Sequence, residues 1–178
     1  MSMKNNKEKQ RAKINTKKIA LYGMMTAAAL ICSYIESQIP AFFAVPGMKL
    51  GLTNIIVVLA LYKMGSGSAM AINIIRIVLV SMMFGGPSAM LYSLAGGMLS
   101  TIVMIILKKT DQFNTVTVSA VGGVFHNVGQ ILVAMLWLKT ASIGWYLMIL
   151  WATGMATGIL IGILGYELIR RMPDKLFK

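Results

Sequence analysis

Residues 67–84 read GSAMAINIIRIVLVSMMF, and residues 88–107 read SAMLYSLAGGMLSTIVMIIL. Each run is close to the length of about 20 apolar residues that a helix needs to cross the hydrocarbon core of a bilayer. The residues between them, Gly85-Gly86-Pro87, are typical of a turn. The two runs therefore predict a pair of membrane-spanning helices, and Arg76 is the one charged residue within them.

Outward from this pair, further apolar runs lie near 18–39, 50–63, 116–138 and 144–169. The run at 50–63 is too short for a straight crossing, so we expect it to continue from an irregular segment that begins around Pro46. The chain is 57% hydrophobic and 12% charged, with a mean hydropathy of +0.75, which excludes an ordinary water-soluble surface. We predict an all-α integral membrane protein with six transmembrane helices: a basic leader at 1–17, a transmembrane domain at 18–171 and a tail at 172–178.

The net charge of +12 would suit nucleic acid, but the positions of the basic residues favour a membrane topology signal instead. Seven of the 17 Lys and Arg residues precede the first apolar run, within residues 1–18. If the chain has six spans, all Lys and Arg residues except Lys49, Lys139 and Arg76 lie on the same side of the membrane. Because basic flanks stay in the cytoplasm, both termini are predicted to be cytoplasmic, in a multi-pass protein of the inner membrane.

Small residues recur four apart within the predicted spans, which puts them on one helix face: Gly23 and Ala27; Gly96 and Ser100; Gly154, Gly158 and Gly162. Such faces let helix backbones approach closely. Packing within the chain and docking of a partner subunit both explain them. The first span suits docking best, because Ala27-Ala28-Ala29 makes it unusually smooth.

Polar side chains are few in the spans and costly to bury there, so they carry most of the functional information: Glu36, Asn54, Asn73, Arg76, His126, Asn127 and Gln130. Arg76 shares a face with Asn73, and its guanidinium needs a counter-ion, a watery cavity or an anionic ligand. A structural pair with Glu36 and direct ligand contact are the two interpretations. Lys49, in a Pro- and Gly-containing connection at 40–50, would add a second cation.

His126 and Gln130 are four residues apart and share a face with Gly122, whereas Asn127 is rotated by one position. Hydrogen bonding between helices and binding of a solute both explain this cluster. A metal site is not expected, because the chain has one His and one Cys.

Several strings resemble a known family: ALYGMMTAAAL at 20–30, SYIE at 33–36, PGMKLGLTNI at 46–55 and GGVFHN at 122–127. They are similar to the Gx transporter family, whose older label is heptaprenyl diphosphate synthase component I. That family in turn resembles the substrate-binding S components of energy-coupling factor (ECF) vitamin transporters. The resemblance implies a solute pocket near the outer surface, closed by the loop between the first two spans. It also implies that Gly23 and Ala27 dock on a transmembrane coupling subunit driven by two ATPases.

The leading hypothesis is a substrate-binding subunit for uptake of a small solute, anionic or a vitamin or cofactor precursor, with membrane lipid around it and no nucleic-acid partner. The predicted binding residues are Glu36, Lys49, Asn54, Asn73, Arg76, His126, Asn127 and Gln130. The alternative is a non-catalytic membrane partner of a polyprenyl diphosphate synthase in isoprenoid or quinone synthesis. Catalysis and cofactors are not expected, because the five acidic residues are never adjacent, as Mg²⁺-binding aspartate clusters require. Gly65-Ser66-Gly67-Ser68 lacks the Lys of a phosphate loop, so ATP would be hydrolysed on another chain.

Overall fold

The computed structural model describes residues 2–38, 51–139 and 142–177, with the backbone alone for residues 2–15, 142, 143 and 146. Within these ranges the chain forms six α-helices and no strand: α1 Ser2–Gln38, α2 Leu52–Lys63, α3 Ser66–Val80, α4 Gly86–Lys109, α5 Thr115–Leu138 and α6 Tyr146–Arg171. Short 3₁₀ turns occupy Ser142–Trp145 and Asp174–Leu176. The all-α prediction is confirmed over the described residues.

Four helical stretches of the described residues are long and apolar enough to cross a membrane: Thr16–Gln38, Ser66–Lys109, Thr115–Leu138 and Leu147–Arg171. The 44-residue stretch contains both α3 and α4. The 12-residue α2 is a shorter apolar helix, about 18 Å long, which is less than the roughly 30 Å hydrocarbon core. The irregular segment predicted ahead of α2 lies outside the described residues.

α3 and α4 are joined by a π-helical segment, Ser81–Gly85, and the chain reverses direction at Gly86. Gly86 has φ of 77°, a left-handed conformation that glycine adopts without steric cost. Asn73 Nδ2 of α3 lies 2.9 Å from Gly97 O of α4, whereas a straight helix would separate these residues by about 36 Å. The two helices therefore form an antiparallel hairpin, as the Gly-Gly-Pro turn predicted.

Glycines bring α4, α5 and α6 into backbone contact. A Cβ atom added at Gly123 of α5 would lie 2.3 Å from Gly154 O of α6, and one at Gly129 would lie 2.7 Å from Ala95 O of α4. No side chain fits at such distances, so the helices pack through small residues, as helices in lipid commonly do. The small-residue faces predicted in the fourth and sixth spans serve packing within the chain.

The small-residue face of α1 is different. A Cβ atom added at Gly23 would meet nothing within 4 Å, and Ala27 is exposed. Met24 and Ile31 nearby are also exposed, at 56% and 60%. In the described part of the chain, no other helix covers this face.

Contacts at one end of the bundle join α2, α4 and the segment after α6. Lys63 Nζ lies 2.6 Å from Asp174 Oδ1 and donates to Met172 O at 3.0 Å. Lys108 Nζ donates to Leu61 O at 2.6 Å. Ammonium groups are favourable beside the carbonyls of helix C-termini. We call this the basic end of the bundle.

At the opposite end, α1 finishes beside the start of α2. Ser33 Oγ and Thr53 Oγ1 are 2.8 Å apart there, and the Tyr34 and Phe84 ring centroids are 5.7 Å apart. The apolar core lies in the half nearer the basic end, where it includes Leu59, Ile72 and Val118. The charged side chains of the spans, Glu36 and Arg76, lie nearer the other end.

Candidate functional site

A cavity lies among the helices, and all six of them contribute to its lining. Its volume is about 50 Å³, which is room for roughly four water molecules. The lining mixes polar and apolar surface, and its side chains with hydrogen-bonding groups are Glu36, Thr53, Asn54, Arg76, Ser93, Ser100, Ser119, His126, Asn127 and Thr157. Met104 and Ile161 add apolar surface. The lining brings together five of the eight predicted binding residues.

The Arg76 guanidinium is held by neutral amides. Nε and Nη2 donate to Asn73 Oδ1 at 3.0 and 2.8 Å, and Nη2 approaches Asn54 Oδ1 more weakly at 3.5 Å. The ion pairs among the described residues do not include Arg76. A permanent positive charge thus lines the cavity, and among the described residues no carboxylate lies within ion-pair distance of it.

Asn73 positions Arg76 from outside the cavity. Its side chain is 2% exposed, and Nδ2 donates to Gly97 O at 2.9 Å and to Thr101 Oγ1 at 2.8 Å. These two bonds orient the amide so that Oδ1 faces Arg76. A Cβ atom at Gly97 would lie 3.1 Å from Asn73 Nδ2, so glycine leaves room for this contact. Asn73, predicted to bind solute, is instead a support for Arg76.

Glu36 contacts the start of α2. One carboxylate oxygen, Oε1, accepts the Gly51 N–H. Gly51 has φ of 75°, which directs that N–H away from the helix that follows, and a carboxylate is favourable at a helix N-terminus. Glu36 and Arg76 line the same cavity, but no ion pair joins them. The two side chains therefore do not form a close ion pair in this structure, although they are near enough to interact electrostatically.

The polar cluster on α5, His126, Asn127 and Gln130, has two roles: lining the cavity and packing against neighbouring helices. His126 and Asn127 line the cavity, and Asn127 Nδ2 also donates to Leu150 O of α6 at 2.6 Å. Gln130 is not part of the lining. A Cβ atom added at Gly96 of α4 would lie 2.9 Å from Gln130 Cγ and 3.3 Å from His126 Cε1, so both side chains pack against that glycine.

Sequence reasoning missed the hydroxyl side chains of the lining: Thr53, Ser93, Ser100, Ser119 and Thr157. Hydroxyls in helices often bond to their own backbone and then reveal nothing about a site. Thr157 Oγ1 does so, donating to Thr153 O at 2.9 Å. Ser119 had a usable signal, because it precedes Gly122 by three residues and His126 by seven and so shares their face.

Other predicted features fall outside the cavity or outside the described residues. Lys49 and the connection at 40–50 lie outside the described residues. Two aromatic side chains for which the sequence made no site prediction, Trp145 and Trp151, are exposed, at 78% and 50%, and also do not line the cavity. The part of the chain that the structure describes holds no group of three His, Cys, Asp or Glu side chains that could bind a metal ion.

Comparison with known families gives one match. The family described as heptaprenyl diphosphate synthase component I matches residues 25–168. The chain belongs to this family. The component I match begins in α1, ends in α6 and contains every residue that lines the cavity. No curated protein and no solved structure matches the chain significantly.

Proposed function

We propose that this chain is the membrane-embedded substrate-binding subunit of an importer for a small solute that carries an anionic group. The supporting observation is Arg76, a permanently charged side chain that lines a cavity and is held only by neutral amide oxygens. Charges within membrane-spanning helices are costly and mark ligand paths or buried partners. A carboxylate or phosphate oxygen would form the charge-assisted hydrogen bonds that the neutral amides cannot. Among vitamin or cofactor precursors, only small ones suit a cavity of about 50 Å³.

The two halves of the bundle suit uptake from outside the cell. In the proposed orientation the basic end faces the cytoplasm, as positively charged flanks do. The cavity lining then extends from Glu36 and Asn54, near the outer ends of α1 and α2, inward to Met104 and Ser119. A solute would enter such a site from the outer end, beside Glu36.

Energy for transport would come from other chains. The α1 face at Gly23 and Ala27 is exposed and has no bulky side chain at either position, which suits close docking by a helix of a transmembrane coupling subunit. Separate ATPases would drive that subunit, since Gly65-Ser66-Gly67-Ser68 is not a phosphate loop.

The test is purification in mild detergent from the native host, followed by mass spectrometry of the retained small molecules and co-purifying chains. Wild type, Arg76→Gln and the matched control Arg170→Gln, which removes an exposed Arg at the basic end, are compared. We expect wild type and Arg170→Gln to retain a solute with an anionic group. Arg76→Gln should retain at least about tenfold less solute, because hydrogen bonds to charged groups contribute about 1.5–3 kcal/mol. An empty wild-type protein, or equal retention by Arg76→Gln, would contradict the proposal.

The family description favours one other candidate, a non-catalytic membrane partner of a polyprenyl diphosphate synthase. The same purification would then recover a soluble prenyl synthase and no transport ATPase. This candidate assigns no ligand to the cavity or to Arg76. Import accounts for the cavity and for Arg76, so we favour it.

A further inference from the structure

The cavity lining contains two oppositely charged side chains, Glu36 and Arg76. Opposite charges attract strongly where water is scarce, and a close pair would be the simplest way to offset the cost of burying both. They form no ion pair here. Each is bonded to neutral groups instead: Glu36 to the Gly51 N–H, and Arg76 to the amide oxygens of Asn73 and Asn54.

These neutral contacts leave part of each charged group available to the cavity. Among the described contacts, Glu36 uses Oε1, which leaves Oε2 to accept from a cation. Arg76 uses Nε and Nη2, which leaves Nη1 to donate to an anion. The nearby Ser and Thr hydroxyls can serve either kind of group.

The charge balance of the lining restricts the solute further. A simple anion would be attracted by Arg76 but repelled by Glu36. A simple cation would be attracted by Glu36 but repelled by Arg76. A solute with one anionic and one cationic group interacts favourably with both Arg76 and Glu36, and it adds no net charge to the membrane interior. The cavity volume of about 50 Å³ restricts such a molecule to few atoms.

We propose that the solute is a small zwitterion, with a carboxylate or phosphate on Arg76 and an ammonium or similar cation on Glu36. This rests on the proposed function and makes it more specific. An α-amino acid or a molecule of comparable size has both groups at short separation. Arg76 selects the anionic group, and Glu36 distinguishes the zwitterion from a plain acid.

The experiment identifies the molecule that wild-type protein retains from its native host, by mass spectrometry in both ion polarities, and quantifies it in Glu36→Gln. The substituted amide side chain keeps an oxygen that can accept the Gly51 N–H, so the start of α2 is preserved. Glu167→Gln is the matched control, because Glu167 does not line the cavity and its one ion pair among the described residues is a long contact of 3.7 Å with Arg171. Thermal unfolding of each variant checks its folding.

We expect a molecule with both an anionic and a cationic group, retained equally by wild type and Glu167→Gln and at least tenfold less by folded Glu36→Gln. A retained molecule with one kind of charge only, or undiminished retention by Glu36→Gln, overturns the zwitterion proposal and leaves solute import standing. A wild-type protein that retains nothing overturns solute import itself.

Discussion

Asn73 links the position of the Arg76 charge on α3 to residues of α4 through one buried amide. Its Nδ2 is fixed by Gly97 O and Thr101 Oγ1, and its Oδ1 accepts from Arg76. Polarity within a span was enough to predict Arg76 as a site residue. The same criterion could not separate Asn73, which supports the site, from Asn54, which lines it. That distinction depends on which helix each amide faces, and one sequence does not contain this information.

Asn73→Ala should destabilise the protein by about 1–3 kcal/mol, because Arg76 loses its main acceptor inside the bundle. Solute retention should fall as well, although Asn73 does not line the cavity. Thermal unfolding and retention are measured for Asn73→Ala, Arg76→Gln and the double variant. The two changes should be non-additive by about 0.5–3 kcal/mol, since they disrupt one contact. Simply additive losses would show that Asn73 acts independently of Arg76.

Gly51→Ala should cost about 1–2 kcal/mol, because φ of 75° is unfavourable for a residue with a Cβ atom. The added carbon would also lie 3.2 Å from Asn54 Nδ2, so Asn54 and the Glu36 contact should both be disturbed. Gly67→Ala is the control, because a Cβ there meets nothing within 4 Å. Unfolding midpoints in detergent provide the comparison. Equal midpoints for the two variants would argue against the left-handed conformation at Gly51.

At the scale of helices, hydropathy located the elements well. The run at 116–138 became α5, Thr115–Leu138, and the run at 144–169 became α6, Tyr146–Arg171. Hydropathy did not predict two features of the helices. α1 continues through the basic leader to Ser2, since Lys, Arg and Gln are good helix formers whatever their hydropathy. The π-helical segment at Ser81–Gly85 depends on how α3 meets α4, which span counting does not address.

The glycines of α5 and α1 should respond in opposite ways to the same substitution. Gly123→Ala should destabilise the protein by about 1–3 kcal/mol, because the new Cβ would lie 2.3 Å from Gly154 O. Gly23→Ala should be neutral or stabilising by up to about 1 kcal/mol, because alanine is the better helix former and a Cβ there meets nothing within 4 Å. Thermal unfolding of the purified chain measures both. A loss of stability in Gly23→Ala as large as in Gly123→Ala would mean that α1 packs differently.

For the whole molecule, the sequence was most informative about composition and charge asymmetry, and least informative about the cavity. Hydropathy and the positions of Lys and Arg predicted a helical membrane protein with a basic end. Residues from all six helices line the cavity. Small residues such as Ser93 and Ser119 can line it because the helices around them pack closely through glycine. A single sequence gives no measure of such joint packing.

The proposed topology predicts which side of the membrane each connection faces. In a Cys32→Ala background, Lys139→Cys should react with a membrane-impermeant maleimide in intact cells, and Lys109→Cys should react only after permeabilisation. Both positions are exposed, so access across the membrane, and not burial, decides the result. The reverse labelling pattern would invert the topology and place the Glu36 end of the cavity on the cytoplasmic side.

The apolar core near the basic end also has an electrical consequence. A hydrated cavity stays near the potential of the solution that it opens to, so in the proposed orientation most of the membrane voltage falls across the apolar layer nearer the basic end, which contains Leu59 and Leu61. Moving one elementary charge through 100 mV changes its free energy by about 2.3 kcal/mol. A plain anion would enter a negative-inside cell against that voltage, whereas a dipolar solute with no net charge would cross the insulating layer without electrical work.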